Sequence, residues 1–198
     1  YYMALSTSIS GVFTPQINRI VARGEGEEQL TKLFTRVGRI QFMLLMLVLT
    51  GFVFVGEPFI CAWGGEEYGA AYWIALLLIA PVTVPLIQNI GIEIQRAKNM
   101  HQFRSKVYFC MAIGNALVSI PLGMKFGGIG CALGTAISMV VGNGFIMNWY
   151  YQTHIGLDMH YFWKHILSIV PAMLPAVALG IIAVRLHTFT GYAGVVTF

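Results

Sequence analysis

Apolar residues run through this chain in long blocks, separated by short connections that hold most of the charge. A helix needs roughly 20 consecutive apolar residues to cross a bilayer. On that measure the pattern predicts spans at 2–22, 39–60, 70–95, 106–124, 128–151 and 165–185, with a further span starting at Tyr192 and cut short. No connection has the length or composition of a soluble domain. The expected fold is therefore all-α: a polytopic transmembrane helix bundle, with residues 1–198 forming a single partial lobe. The opening YYMAL lacks an initiator Met and the closing GYAGVVTF reads as an interrupted helix, so the chain is expected to be a piece of a longer protein.

The polar residues inside these blocks are placed with a period. In PLIQNIGIEIQRAKN, at about 100° per residue, Pro85, Gln88, Asn89, Glu93, Gln95, Arg96 and Asn99 fall within an arc of about 160°. Ile92 is the one large apolar residue among them, while Leu86, Ile87, Ile90, Ile94 and Ala97 take a facing sector. A polar face on a membrane helix is expected to meet protein or a water-filled cavity, not lipid. Glu93 and Arg96 stand at i,i+3 and can pair. Arg96, Lys98 and Asn99 suit side chains snorkelling from a helix end, whereas Asn89 and Glu93, one to two turns deeper, suit a cavity. Pro81 and Pro85 are expected to kink or break this span just before its polar face.

The first span repeats the arrangement. Ala4, Ser8, Gly11, Pro15, Asn18, Arg19 and Ala22 share a narrow stripe, with Ile9, Phe13, Ile17 and Ile20 on other faces. Two readings of Arg19 stand together: a fixed positive charge for an anionic group, or a side chain reaching the interface from a helix that packs through small residues. Gly130, Gly134, Ser138 and Gly142 recur every four residues, a ridge that lets helix backbones approach closely. Asn115 and Ser119 sit mid-span, where an amide serves equally as interhelical glue or as a ligand contact.

Composition agrees with the pattern: 57% of residues are hydrophobic and only 10% charged, against about 25% charged in soluble domains. The net charge of +4 is distributed unevenly. Arg23, Lys32, Arg36 and Arg39 fall in one connection, and Arg96, Lys98, Arg104 and Lys106 in another. The connection between them has only Glu57, Glu66 and Glu67; the later ones hold Lys125, Lys164 and Arg185. The positive-inside rule then places 23–39, 96–106 and 152–164 at the cytoplasmic side. Trp63, Trp73, Trp149, Trp163, Tyr150 and Tyr151 lie near span ends, as interfacial aromatic belts do. Cys61, Cys110 and Cys131 are scattered without metal spacing and read as small apolar residues. His154, His160 and His165 cluster near Asp158, but their spacing is not that of a zinc site. No GxSxG, P-loop or dinucleotide fingerprint is present, so no enzyme chemistry, metal, cofactor or direct use of ATP is expected.

The succession of segments carries a resemblance. FTPQINRIVARGEGEEQLTKLFTRVGR is followed by EPFICAWGGEEYGAAYWIALLLIA and PLIQNIGIEIQRAKNMHQFR. Then come GNALVSIPLGMKFGGIGCALGTAISMVVGN and WYYQTHIGLDMHYFWK. Together these resemble the C-terminal half of bacterial polysaccharide flippases of the multidrug/oligosaccharidyl-lipid/polysaccharide exporter superfamily. The resemblance implies a multi-pass protein of the bacterial inner membrane with two lobes that alternate access to a central cavity. Its cargo would be an undecaprenyl-diphosphate-linked oligosaccharide, a lipid-linked oligosaccharide used for surface polysaccharide. The N-terminal lobe, which supplies half of that cavity, would lie outside this sequence. Cavity residues in this family vary with the sugar, so Arg19, Gln88, Asn89, Glu93 and Asn115 are substrate-cavity candidates on the helical-face pattern. Two alternatives remain: a drug or cation antiporter of the same superfamily, and a membrane-embedded sugar or acyl transferase using His160 or His165. Coupling to a sodium or proton gradient would fall to Glu93.

Overall fold

The computed structural model describes residues 1–24 and 26–186. The span expected from Tyr192 and the side chain of Arg185 lie outside the described residues. The described chain is helical, with no strand among those residues. Its elements are α1 (Tyr2–Arg23), α2 (Glu27–Gly64), α3 (Gly69–Ile87), α4 (Ile90–Ala97), α5 (Gln102–Met139), α6 (Met147–Tyr150), α7 (Met159–Leu167) and α8 (Val170–Leu186). Three helical stretches, Glu27–Gly64, Glu66–Ile87 and Gln102–Ile155, are long and apolar enough to cross a membrane. They contain the predicted spans 39–60, 106–124 and 128–151 and most of 70–95. The spans predicted at 2–22 and 165–185 are helical but fall outside that set. The polar stripe of α1 lowers its hydropathy. A break at Ser168–Ile169 leaves α8 with 17 residues, about 26 Å of helix against a hydrocarbon core of about 30 Å.

The chain runs up and down between two ends. Three connections meet at one end, where Lys98 Nζ donates to Ile155 O at 2.7 Å and lies 3.8 Å from Glu27. Asp158 N donates to Thr31 Oγ1 at 3.2 Å in the same region. These are the connections assigned to a common side from their Lys and Arg content. At the opposite end α5 reverses at Gly127 (φ 61°, ψ −139°), a backbone conformation that favours glycine, and neighbouring Gly128 packs on Ile74 near the start of α3. The stretch Gln102–Ile155 is thus an antiparallel pair of arms, 102–126 and 128–155, continued through π-helical turns at Val140–Ile146 and Tyr151–Ile155. The glycine ridge packs on the preceding arm as its spacing predicts. A Cβ on Gly130 would collide with the Leu122 carbonyl, one on Gly134 would lie 2.8 Å from Ser119 Cα, and one on Gly142 would meet Met111.

Two local expectations are corrected. Residues 27–38, expected as part of a connection, are the first turns of α2. Leu30, Leu33, Phe34 and Val37 bury one face there, while Glu28 and Lys32 pair at 2.6 Å on the other, so the segment is an amphipathic helix. The third span does not break at its prolines: both lie inside α3, and the break comes at Gln88–Asn89. There the Leu86 carbonyl accepts the Asn89 N–H at 3.2 Å and the Ser6 hydroxyl of α1 at 2.6 Å. A side chain from another helix thus bonds the carbonyl at this turn, one turn past Pro85.

The best-packed core lies at the end where the three connections meet. Phe34 packs on Phe162 with ring centroids 4.6 Å apart and on Tyr151 at 5.8 Å, around fully buried Ile90, Ile94, Ile155 and Leu157. Two glycines make room for these rings: a Cβ on Gly38 would lie 2.6 Å from Phe162, and one on Gly91 2.7 Å from Tyr151.

Candidate functional site

The outward face of α1 is the candidate site. Every member of the small and polar stripe (Ala4, Ser8, Gly11, Pro15, Asn18, Arg19 and Ala22) is exposed, and the residues α1 buries are Ser6, Ser10, Ile17 and Ile20. Among the described residues the stripe therefore packs on no other helix. Near its end lies a concavity of about 400 Å3 whose walls join Val12, Pro15 and Ile20 to the polar side chains of Gln16, Arg19, Arg23 and Gln29. Among the described residues Arg19 has no ion pair or hydrogen bond. A guanidinium here presents up to five N–H donors, a geometry suited to phosphate or carboxylate.

Polar bonds on the buried side hold α1 in this orientation. Gln41 of α2 is wholly buried, and its Nε2 donates to Ser10 Oγ at 2.8 Å, Ser6 O at 3.0 Å and Ser6 Oγ at 3.1 Å. Tyr2 and Thr83 share a hydrogen bond of 2.7 Å between α1 and α3. Ser6, Ser10 and Gln41 were not singled out from the sequence. Their signal was the i,i+4 spacing of Ser6 and Ser10, which places both hydroxyls on one face.

The five residues proposed from the sequence do not share one cavity. Arg19 sits in the α1 concavity. Glu93 accepts from Arg96 Nη1 at 2.9 Å and from Thr14 of α1 at 3.4 Å, so the expected i,i+3 pair is formed and tied to α1. Gln88 is buried and donates to Asn148 Oδ1 at 2.8 Å, an atom that also accepts from Trp163 Nε1 at 3.2 Å. Asn89 is buried at the break before α4. Asn115 accepts from Ser119 at 2.6 Å and from Thr135 at 3.3 Å, which makes it a tie between the arms of the α5 hairpin.

A further polar cluster lies where the π-helical turns meet the first arm of α5. Arg104 donates to Tyr151 OH at 3.1 Å and also to Tyr108 OH, and Tyr108 donates to Asn143 Oδ1 at 3.1 Å. These bonds fix the second arm against the first and hold Tyr151 in the core. Of the histidines, His165 Nδ1 donates to Tyr161 O at 2.8 Å and His154 bonds Thr153 at 2.7 Å. Among the described residues no three His, Cys, Asp or Glu side chains converge as a metal site would require. No family model, no curated protein and no solved structure matches this chain.

Proposed function

We propose that this chain is one lobe of a membrane exporter that flips a lipid-linked oligosaccharide, with α1 lining the path. The observation that carries this reading is the outward stripe of α1. A stripe of small and polar residues, with Arg19 near its end unpaired among the described residues, is suited to a water-filled cavity, although Met3, Leu5 and Val12 are also exposed on α1. A flippase must shelter a polar, anionic head group while its tail stays in the bilayer. Arg19 supplies a positive charge for the diphosphate, and Gln16 and Gln29 supply hydrogen-bonding groups for sugar hydroxyls. A second lobe would face the stripe and complete the cavity, and rocking of the two lobes would alternate access. Glu93 is the carboxylate available for ion coupling, and its link to Thr14 would pass a change of charge to α1.

The test replaces Arg19 by Ala, by Gln and by Lys in stably inserted protein and measures surface polysaccharide. Loss with Ala and Gln, and retention with Lys, supports an anionic cargo. Full polysaccharide in all three removes Arg19 from the path. If the same variants instead alter resistance to organic cations, the antiporter reading replaces this one. His160→Ala with His165→Ala addresses the transferase reading, which requires loss of function in that pair.

A further inference from the structure

A second basic pocket lies away from the α1 concavity, between α2 and α7. It has a volume of about 270 Å3, and its walls include Lys32, Thr35, Arg36, Arg39, Tyr161 and His165. Lys32 is committed to Glu28, one turn nearer the helix start. Arg36 and Arg39 are exposed and have no ion pair or hydrogen bond among the described residues. The Thr35 hydroxyl is buried and has no hydrogen-bond partner among the described residues. The Tyr161 carbonyl accepts from His165 Nδ1, which leaves His165 Nε2 available. Two further acids lie near: Asp158 is held as the cap of α7 by accepting the Tyr161 N–H at 2.9 Å, and Glu27, in the adjoining concavity, lies 3.8 Å from Lys98.

The pocket continues into apolar surface. Ile40 and Met43 line its inner edge, and both are exposed, as is Leu47 one turn further along the same face of α2. Cations at the mouth with an apolar strip about 6 Å deeper match an amphiphile that has a negative head and an acyl chain. Inorganic phosphate would use the cations and leave the strip bare; a zwitterionic lipid would use the strip and gain little from two guanidiniums. We propose that this pocket binds an anionic glycerophospholipid. Arg36 and Arg39 hold its phosphate, and its acyl chain lies along Ile40, Met43 and Leu47. The site is independent of what the α1 face carries.

The test uses the chain purified in mild detergent, with bound lipid counted by native mass spectrometry during titration with phosphatidylglycerol or with phosphatidylcholine of the same acyl chains. Wild-type protein is expected to bind phosphatidylglycerol in preference. Arg36→Gln with Arg39→Gln should weaken that binding about 25-fold, from roughly fivefold per cation. The double Lys variant should keep most of it. Raising salt from ~0.05 to ~0.5 M should weaken binding to the wild type, a readout that needs no variant. Equal binding of the two lipids, unchanged binding by the double Gln variant, or insensitivity to salt overturns the proposal. So does competition by inorganic phosphate at the same concentration as the lipid, which would make the occupant a free anion.

Discussion

The tight approach in the α5 hairpin makes a graded prediction from three glycines on one ridge. At Gly130 an added methyl group meets backbone, the Leu122 carbonyl and the Gly123 amide, so neither side can yield without moving an arm. At Gly134 it meets Ser119, including its Cα at 2.8 Å. At Gly142 the obstacle is the Met111 side chain, which is unbranched and adapts. Overpacking of this kind costs about 1–3 kcal/mol, while Gly→Ala within a helix returns up to about 1 kcal/mol. Gly130→Ala should therefore lose about 2 kcal/mol, Gly134→Ala about 1 kcal/mol, and Gly142→Ala close to none. Gly114, with nothing within 4 Å of an added Cβ, is the control, and its Ala variant should be neutral or slightly stabilised. The assay is unfolding in mixed micelles by titration with a denaturing detergent, followed by tryptophan fluorescence. A Gly130→Ala protein as stable as wild type, or the same loss in all four variants, would refute the close packing of the two arms.

Two further outcomes are expected from the same assay. Gln41→Leu removes the donor that holds Ser6 and Ser10, and should lower stability by about 1 kcal/mol, the scale of hydrogen bonds between membrane helices; its effect should shrink when Ser10→Ala is already present. Gly91→Ala pushes on the Tyr151 ring and should cost about 1–3 kcal/mol. Tyr151→Leu should recover part of that loss if the ring is the obstacle, and no recovery would place the strain elsewhere.

The features legible in the sequence are those with a local cause. Small residues four apart at 130, 134, 138 and 142 suit close packing in a helix pair, and the structure packs the three glycines among them on the facing arm. The α1 stripe was legible because an unbroken helix keeps its period from Ala4 to Ala22. The Lys and Arg distribution was enough to gather 23–39, 96–106 and 152–164 at one end. The break in the third span falls at Gln88–Asn89, where Ser6, 80 residues away from Leu86, donates to its carbonyl, a long-range partner with no local signature. Gln88 and Asn89 are buried and Arg96 is exposed, although the helical period groups them on one side. A helical wheel also cannot separate a polar face that meets its own chain from one that meets a cavity. Gln88 finds Asn148 and Asn115 finds Thr135, partners that only the tertiary fold supplies. The amphipathic start of α2 carries enough charge to resemble a connection, although Leu30, Phe34 and Val37 bury one face.

The central claim is that the exposed stripe of α1 meets water while equally exposed surfaces elsewhere meet lipid. It is tested by single cysteines at Gly11 and Arg19, in a background with Cys61, Cys110 and Cys131 replaced, reacted in membranes with a charged thiol reagent. Leu117, exposed on the apolar outer side of α5, serves as the lipid-facing comparison, and Ile17 as the buried one. Rapid labelling at positions 11 and 19, with little at 117 and 17, is the predicted result. Labelling at 11 and 19 as slow as at 117 would mean that the stripe faces lipid, and would contradict the account.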